Sequence, residues 1–163
     1  VDIKGRDSSL NTIWHEIAAC NSLKCFQLFV ELYNDNAETN DDNKIMSYGS
    51  QIKKLIDLNC LNNIGQHPIH LAASEGHSEI LKLILSINCK LIDLPQHDGN
   101  TALHIGVARG HLNVVEILLE FNCNVNAVGS NGRTALVLAR GFRHDNIIQV
   151  LVANNAVENA GDK

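Results

Sequence analysis

The sequence predicts an all-α fold: a solenoid of about four stacked helix-turn-helix units joined by β-hairpin-like loops, with an irregular first unit. Three observations predict it. The blocks "GQHPIHLAASEGHSEILKLIL" (65–85), "GNTALHIGVARGHLNVVEILL" (99–119) and "GRTALVLARGFRHDNIIQVLV" (132–152) align without gaps. Their leading glycines Gly65, Gly99 and Gly132 are 34 and then 33 residues apart. The second half of each block carries apolar residues at helical spacing: Ile80, Leu81, Ile84 and Leu85, then Val114, Val115, Leu118 and Leu119. Between the halves stands Gly76–His77 or Gly110–His111, a glycine suited to the left-handed joint that ends one helix and starts the next.

The elements follow in order along one domain, 1–163. A degenerate first unit spans 9–64, because "NTIWHEIAACNSLKCFQLFV" (11–30) keeps Thr12, His15 and Ala18 of the repeat. Trp14 falls in a leucine slot there and reads as core or cap packing. From Thr12 to His67 is 55 residues, one period of 33 plus 22 extra. Residues 19–33 read as the second helix of the unit, 34–44 as an exposed loop carrying Asp35, Glu38, Asp41 and Asp42, and 45–59 as an additional helix. The loop is open to two readings: a tolerated insertion, or an acidic recognition loop. Regular units follow at 65–98 and 99–131. Their first helices lie at about 68–75 and 102–109, with Ala72, Ala73 and Gly106 small enough for close helix packing. The last unit, 132–163, has its first helix at about 135–142 and places Arg140 in a small-residue slot and Arg143 in the glycine slot. That irregularity fits a C-terminal capping repeat, whose outer face meets water.

Composition narrows the function. The chain has 163 residues, 45% hydrophobic and 19% charged, with a net charge of −5 and a pI near 5.9, which argues against nucleic-acid partners. No apolar run approaches the roughly 20 residues of a membrane helix. Five cysteines with no CxxC pair argue for a reducing, intracellular setting, cytoplasmic or nuclear. The chain begins at Val1 rather than Met, which reads as a fragment or processed form. There is no G-x-S-x-G, no cysteine beside a histidine and a third orienting residue, and no phosphate-binding glycine loop. No enzyme, no cofactor and no metal are therefore expected. The eight histidines fall largely on the repeat period, as do His70, His77, His104 and His111, so structure explains them without chemistry.

These motifs together resemble the ankyrin-repeat family, whose units read G-x-T-P-L-H-x-A-A-x-x-G-H before an amphipathic helix and a closing G-A-x-[VI]-N. The likeness covers 65–159 strongly and 11–33 weakly. His67 departs from the threonine, Ala102 and Ala135 from the proline, and Val137 from the histidine. In this register Asn88, Asn122 and Asn155 occupy a glycine slot that ends the second helix in left-handed backbone, which asparagine also tolerates. Cys89 and Cys123 take the neighbouring alanine slot and read as small buried hydrophobes, whereas Cys60 lies out of that register. The resemblance implies a hydrogen-bonding structural role for the first histidine of each unit. It also makes Asn126, and less directly Asn59, a candidate for asparagine hydroxylation in the hairpin.

The resemblance further implies a protein partner on the concave face formed by first helices and hairpin tips. The positions free to choose that partner are Ser74 and Glu75, Ala108 and Arg109, with Gly141 and Phe142 in the last unit, and Gln96, His97, Asp98, Ser130 and Asn131 at the tips. Phe142 beside arginines has the chemistry of a binding anchor; the alternative is that it packs under the terminal turn. Arg109, Arg140, Arg143 and His144 would make that end basic, opposite the acidic loop. The expected function is a non-catalytic, monomeric protein-binding module. Two narrower readings stand beside it: a regulator similar to inhibitor-of-κB proteins that sequesters a transcription factor, and a microbial or viral effector acting in a host cytosol.

Overall fold

The computed structural model describes residues 5–27 and 58–158. Two layers of helices result. The inner layer comprises α1 (Ile13–Cys20), α2 (Pro68–Glu75), α4 (Ala102–Arg109) and α6 (Ala135–Gly141). The outer layer comprises α3 (Ser78–Ile87), α5 (Leu112–Glu120) and α7 (Asp145–Ala153), and residues 23–27 are helical after α1. Each inner helix packs on the next, α1 on α2, α2 on α4 and α4 on α6, and α3, α5 and α7 stack alongside. The expected loop 34–44 lies outside the described residues, as do 28–33 of the helix expected at 19–33 and 45–57 of the helix expected at 45–59, whose last two residues form a turn.

The repeat places a left-handed residue at two equivalent points of every unit. The joint between helices is Asn21, Gly76, Gly110 and then Arg143, at φ 51°, 75°, 77° and 60°. The loop before each inner helix turns at Leu10, Gly65, Gly99 and Gly132, at φ 58°, 72°, 87° and 70°. At Gly76 the space is as tight as the torsion, since a Cβ would fall 2.8 Å from His111 Nδ1.

The loops are closed by matching backbone bonds: Asp7 N–H to Asn11 C=O, Asn62 to Gln66, Gln96 to Asn100 and Gly129 to Arg133. These are the predicted hairpin-like connections, although among the described residues they are turns and not strands. The first of them, 7–11, was hidden in the sequence because Leu10 stands in the glycine slot.

The core lies between the layers. Ile80, Leu81, Ile84 and Leu85 from α3, Val114, Val115 and Leu118 from α5, and Ile147 and Leu151 from α7 are buried against Ile69, Leu103 and Leu136 of the inner helices. Burial of each such side chain contributes about 1.5–3 kcal/mol, so the amphipathic outer helices supply much of the driving force. Trp14 is buried and meets Phe26 edge-on, with ring centroids 5.9 Å apart. It is a core residue.

Three inner-helix histidines tie one unit to the next. The amides of Thr12, His67 and Thr101 donate to Nδ1 of His15, His70 and His104, at 3.1, 3.0 and 3.2 Å. Nδ1 is therefore the acceptor and Nε2 carries the proton, as the hydrogen-bond network assigns it. Nε2 then donates to Gln66, Leu94 and Arg133 carbonyls at 2.9, 2.9 and 3.2 Å. In the last unit Val137 takes the histidine's place, and the Thr134 hydroxyl instead donates to the carbonyl of Val157 at 3.0 Å.

Two expectations about the closing slot are corrected. Asn122 and Asn155 are left-handed, at φ 59° and 62°, but Asn88 is extended at φ −148°. The 65–98 unit is one residue longer than the next, and the extra residue enters a 3-10 turn, Cys89–Leu91, which Asn88 caps by accepting the Lys90 amide at 3.1 Å. Consequently Leu91 turns into the core and Cys89 is exposed, unlike buried Cys123.

Candidate functional site

Inner helices that stack in register present the same position of each unit to one side. The last turns of α2, α4 and α6 and the loops beneath them enclose a groove of about 270 Å³. Ser74, Ala108 and Arg109 come from the helix ends, Ile105 and Leu138 from the turn before, and Phe142 from the C-cap of α6. Gln66, Gln96, Asn100 and Ser130 line the loop side, with His104 between. One wall is thus mainly apolar with one hydroxyl and one guanidinium, and the other is a row of amides and a hydroxyl.

That amide row is pre-ordered. Gln66 Nε2 donates to Gln96 Oε1 at 3.0 Å, and Gln96 Nε2 to Asp98 Oδ1 at 2.8 Å. Asn100 donates its backbone and side-chain N–H to the two oxygens of Asp98, while its own Oδ1 accepts the Ser130 amide at 3.0 Å. Slight burial works against the charge on Asp98, but hydrogen bonds from Asn100 and Gln96 outweigh it and hold its carboxyl below the usual carboxylate range. Asp98 therefore organises the row as an anion.

Of the residues singled out from sequence, the groove collects Ser74, Gln96, Ala108, Arg109, Ser130 and Phe142. Glu75 is exposed at the helix position equivalent to Arg109, one unit along. His97 and Asn131 are exposed at loop tips, and Asp98 acts through Gln96 and Asn100. Arg143 lies elsewhere, in a hollow with Gly110, Leu112, His144 and Asp145 at the helix joints. Sequence reasoning missed Gln66, Asn100, Ile105 and Leu138. The signal for the first two was available, because Asn11, Gln66, Asn100 and Arg133 share the slot before the threonine-type position.

Phe142 is 55% exposed rather than tucked under the turn, with its ring stacked on His144 at 6.0 Å. The expected basic end is weaker than the residue count suggests, since Arg140 pairs with Glu158 at 2.8 Å. Arg109 is left as the groove's cation.

The remaining polar groups are held by structure. Burial lowers the pKa of His15 and His104, and pushes that of His70 down to about 4, against the opposing effect of the bond to Leu94. Cys60 is buried, with Sγ 3.2 Å from Thr12 Oγ1 and 3.8 Å from His15 Nδ1. The sequence spacing did not reveal this neighbour, but the imidazole nitrogen already accepts the Thr12 amide, so it is not free to act as a base. Burial pushes the Cys123 thiol up to about 12, with nearby Asp93 adding to it. Among the described residues, no group of three His, Cys, Asp or Glu side chains is placed to hold a metal ion. No helix among them is long and apolar enough to cross a membrane.

Asn126 has a structural use. Its Oδ1 accepts the Val157 amide at 2.8 Å and its Nδ2 donates to Asn155 C=O at 3.2 Å, stapling the hairpin to the following segment. Asp93 does the same one unit earlier, accepting the Asn124 amide at 2.8 Å.

A family model described as ankyrin repeats, in three copies, matches residues 44–128 and 89–162. No curated protein matches the chain.

Proposed function

Because the chain belongs to the ankyrin-repeat family, we propose that it is a non-catalytic module, monomeric by itself, that binds a partner protein through the groove between its inner-helix ends and hairpin loops. Ankyrin repeats are in general protein-interaction modules, and the finer assignment is to this surface. One observation carries it: six variable positions from three successive units, Ser74, Gln96, Ala108, Arg109, Ser130 and Phe142, line one groove, with an exposed aromatic ring and a guanidinium at its rim. Aromatic and arginine side chains dominate interface energetics. The odd cysteine count with no CxxC pair supports an intracellular setting. Sequestration of a transcription factor, or action as an effector inside a host cell, would be a narrower form of the same role, decided by which partner is recovered. Hydroxylation of Asn126 belongs to the proposal as a modification of the hairpin. Its staple to Val157 would have to open for an enzyme to reach it.

The test is affinity capture with mass-spectrometric identification, followed by binding of the purified partner. Ala108→Arg, which fills the groove, should weaken binding by ~10-fold or more, the loss of about 1.4 kcal/mol. Gln149→Arg, on the exposed face of α7, should leave it unchanged. Equal affinity for both variants and the unmodified chain would place the partner elsewhere.

A further inference from the structure

The row of residues along the groove rim is not uniform, and its order identifies the chemistry of what fits. Glu75, Arg109 and Phe142 occupy one equivalent position in three successive units, giving an acid, a base and an aromatic ring in line. Among the described residues Arg140–Glu158 is the ion pair present, so Glu75 and Arg109 are not paired with each other or with a neighbour there. Just inside the rim stand Ser74 and Ala108, too short to keep a second backbone away, and the equivalent register position of the last unit is Gly141.

The amide wall adds an independent requirement. Among the described residues, the side-chain nitrogens of Gln66, Gln96 and Asn100 each donate a single hydrogen bond. Each amide thus retains a second N–H for an incoming carbonyl. Such a row suits a ligand with regularly spaced main-chain carbonyls.

Spacing links the two. Packed helices stand about 8–10 Å apart, and a polyproline II chain advances about 3.1 Å per residue with three residues per turn, so every third side chain returns to the same side and the chain's carbonyls stay free of internal hydrogen bonds. One unit of the stack therefore matches about one three-residue turn of such a peptide, whereas in a β-strand the third side chain would face away.

We propose that the groove takes a peptide segment of a partner in polyproline II conformation, in which every third side chain is, in order along the stack, a base for Glu75, an acid for Arg109 and an apolar or aromatic group for Phe142. The inference rests on the protein-binding reading above and specifies the partner's chemistry. The chain sense of the segment is free, since the rim reads side chains.

The test uses synthetic peptides and the full chain in an amide NMR titration, which registers weak binding. The probes are Lys-Ala-Ala-Asp-Ala-Ala-Phe, its reversed order, and the two charge-swapped forms with Asp and Lys exchanged. A matched peptide should bind ~10-fold tighter than its swapped form, the size expected when two exposed charge contacts turn from attractive to repulsive. It should shift the amides of Ala108 and Phe142. The double variant Glu75→Arg with Arg109→Glu, at exposed positions, should reverse the ranking while its thermal unfolding stays unchanged. Equal affinity for matched and swapped peptides, an unreversed ranking, shifts outside the groove, or no binding of any peptide would each overturn the inference. A captured partner still sensitive to Ala108→Arg would then leave the protein-binding role standing without this motif.

Discussion

His70 Nε2 donates to the Leu94 carbonyl at 2.9 Å while its Nδ1 accepts the His67 amide at 3.0 Å. One neutral ring thus closes the start of an inner helix and fastens the following hairpin loop. A protonated ring would lose the acceptor and place a charge in the core.

Stability should therefore fall on mild acidification. Burial holds the folded pKa of His70 at about 4, below the ordinary 6.5, so the unfolded chain binds the extra proton first. The contribution is fully present above about pH 6.5 and is lost as pH falls from there towards about 4, by up to about 3 kcal/mol for this residue. His15 and His104 shift in the same direction. Urea unfolding midpoints at pH 7.5, 6.0 and 5.0 should decline steadily; a flat profile would contradict the neutral-ring assignment.

Arg143 holds φ 60° at a joint where the two preceding units use glycine. A left-handed conformation costs an L-residue about 1–2 kcal/mol, partly offset by glycine's greater freedom when unfolded. Arg143→Gly should raise unfolding stability by about 0.5–1 kcal/mol, measured by chemical denaturation. A loss of stability would show that the guanidinium makes a contact that outweighs the strain.

Thiol reactivity should divide the cysteines. Cys20, Cys25 and Cys89 are exposed, whereas Cys60 and Cys123 are buried. An aromatic disulfide reagent should modify three thiols promptly in the native chain and the other two only on unfolding. Prompt modification of all five would contradict the packing of the hairpin loops.

Much of this architecture could be read directly. The three regular blocks, the helix limits and the glycine joints were legible because each unit must satisfy the same steric and packing demands. Legibility failed where another residue met a demand in glycine's place, as Leu10 does at φ 58°, and where one added residue changed a turn, as at Asn88 and Cys89. The groove was half legible. Variable positions such as Ala108 and Phe142 could be found from register, whereas Ile105 and Leu138 are apolar positions within the inner helices, and only the stacking shows that they also line the groove. The charge balance at the C-terminal end was misread because Arg140 meets Glu158 across 18 residues of chain, a contact the repeat pattern does not contain.

The central claim, that the partner lies in the groove, is tested most directly by photo-crosslinking. A photoreactive amino acid is placed in turn at Ala108, Phe142 and Gln149, and the complex with the co-purified partner is irradiated. The account predicts crosslinks from Ala108 and Phe142 and none from Gln149; crosslinks from Gln149 alone would contradict it.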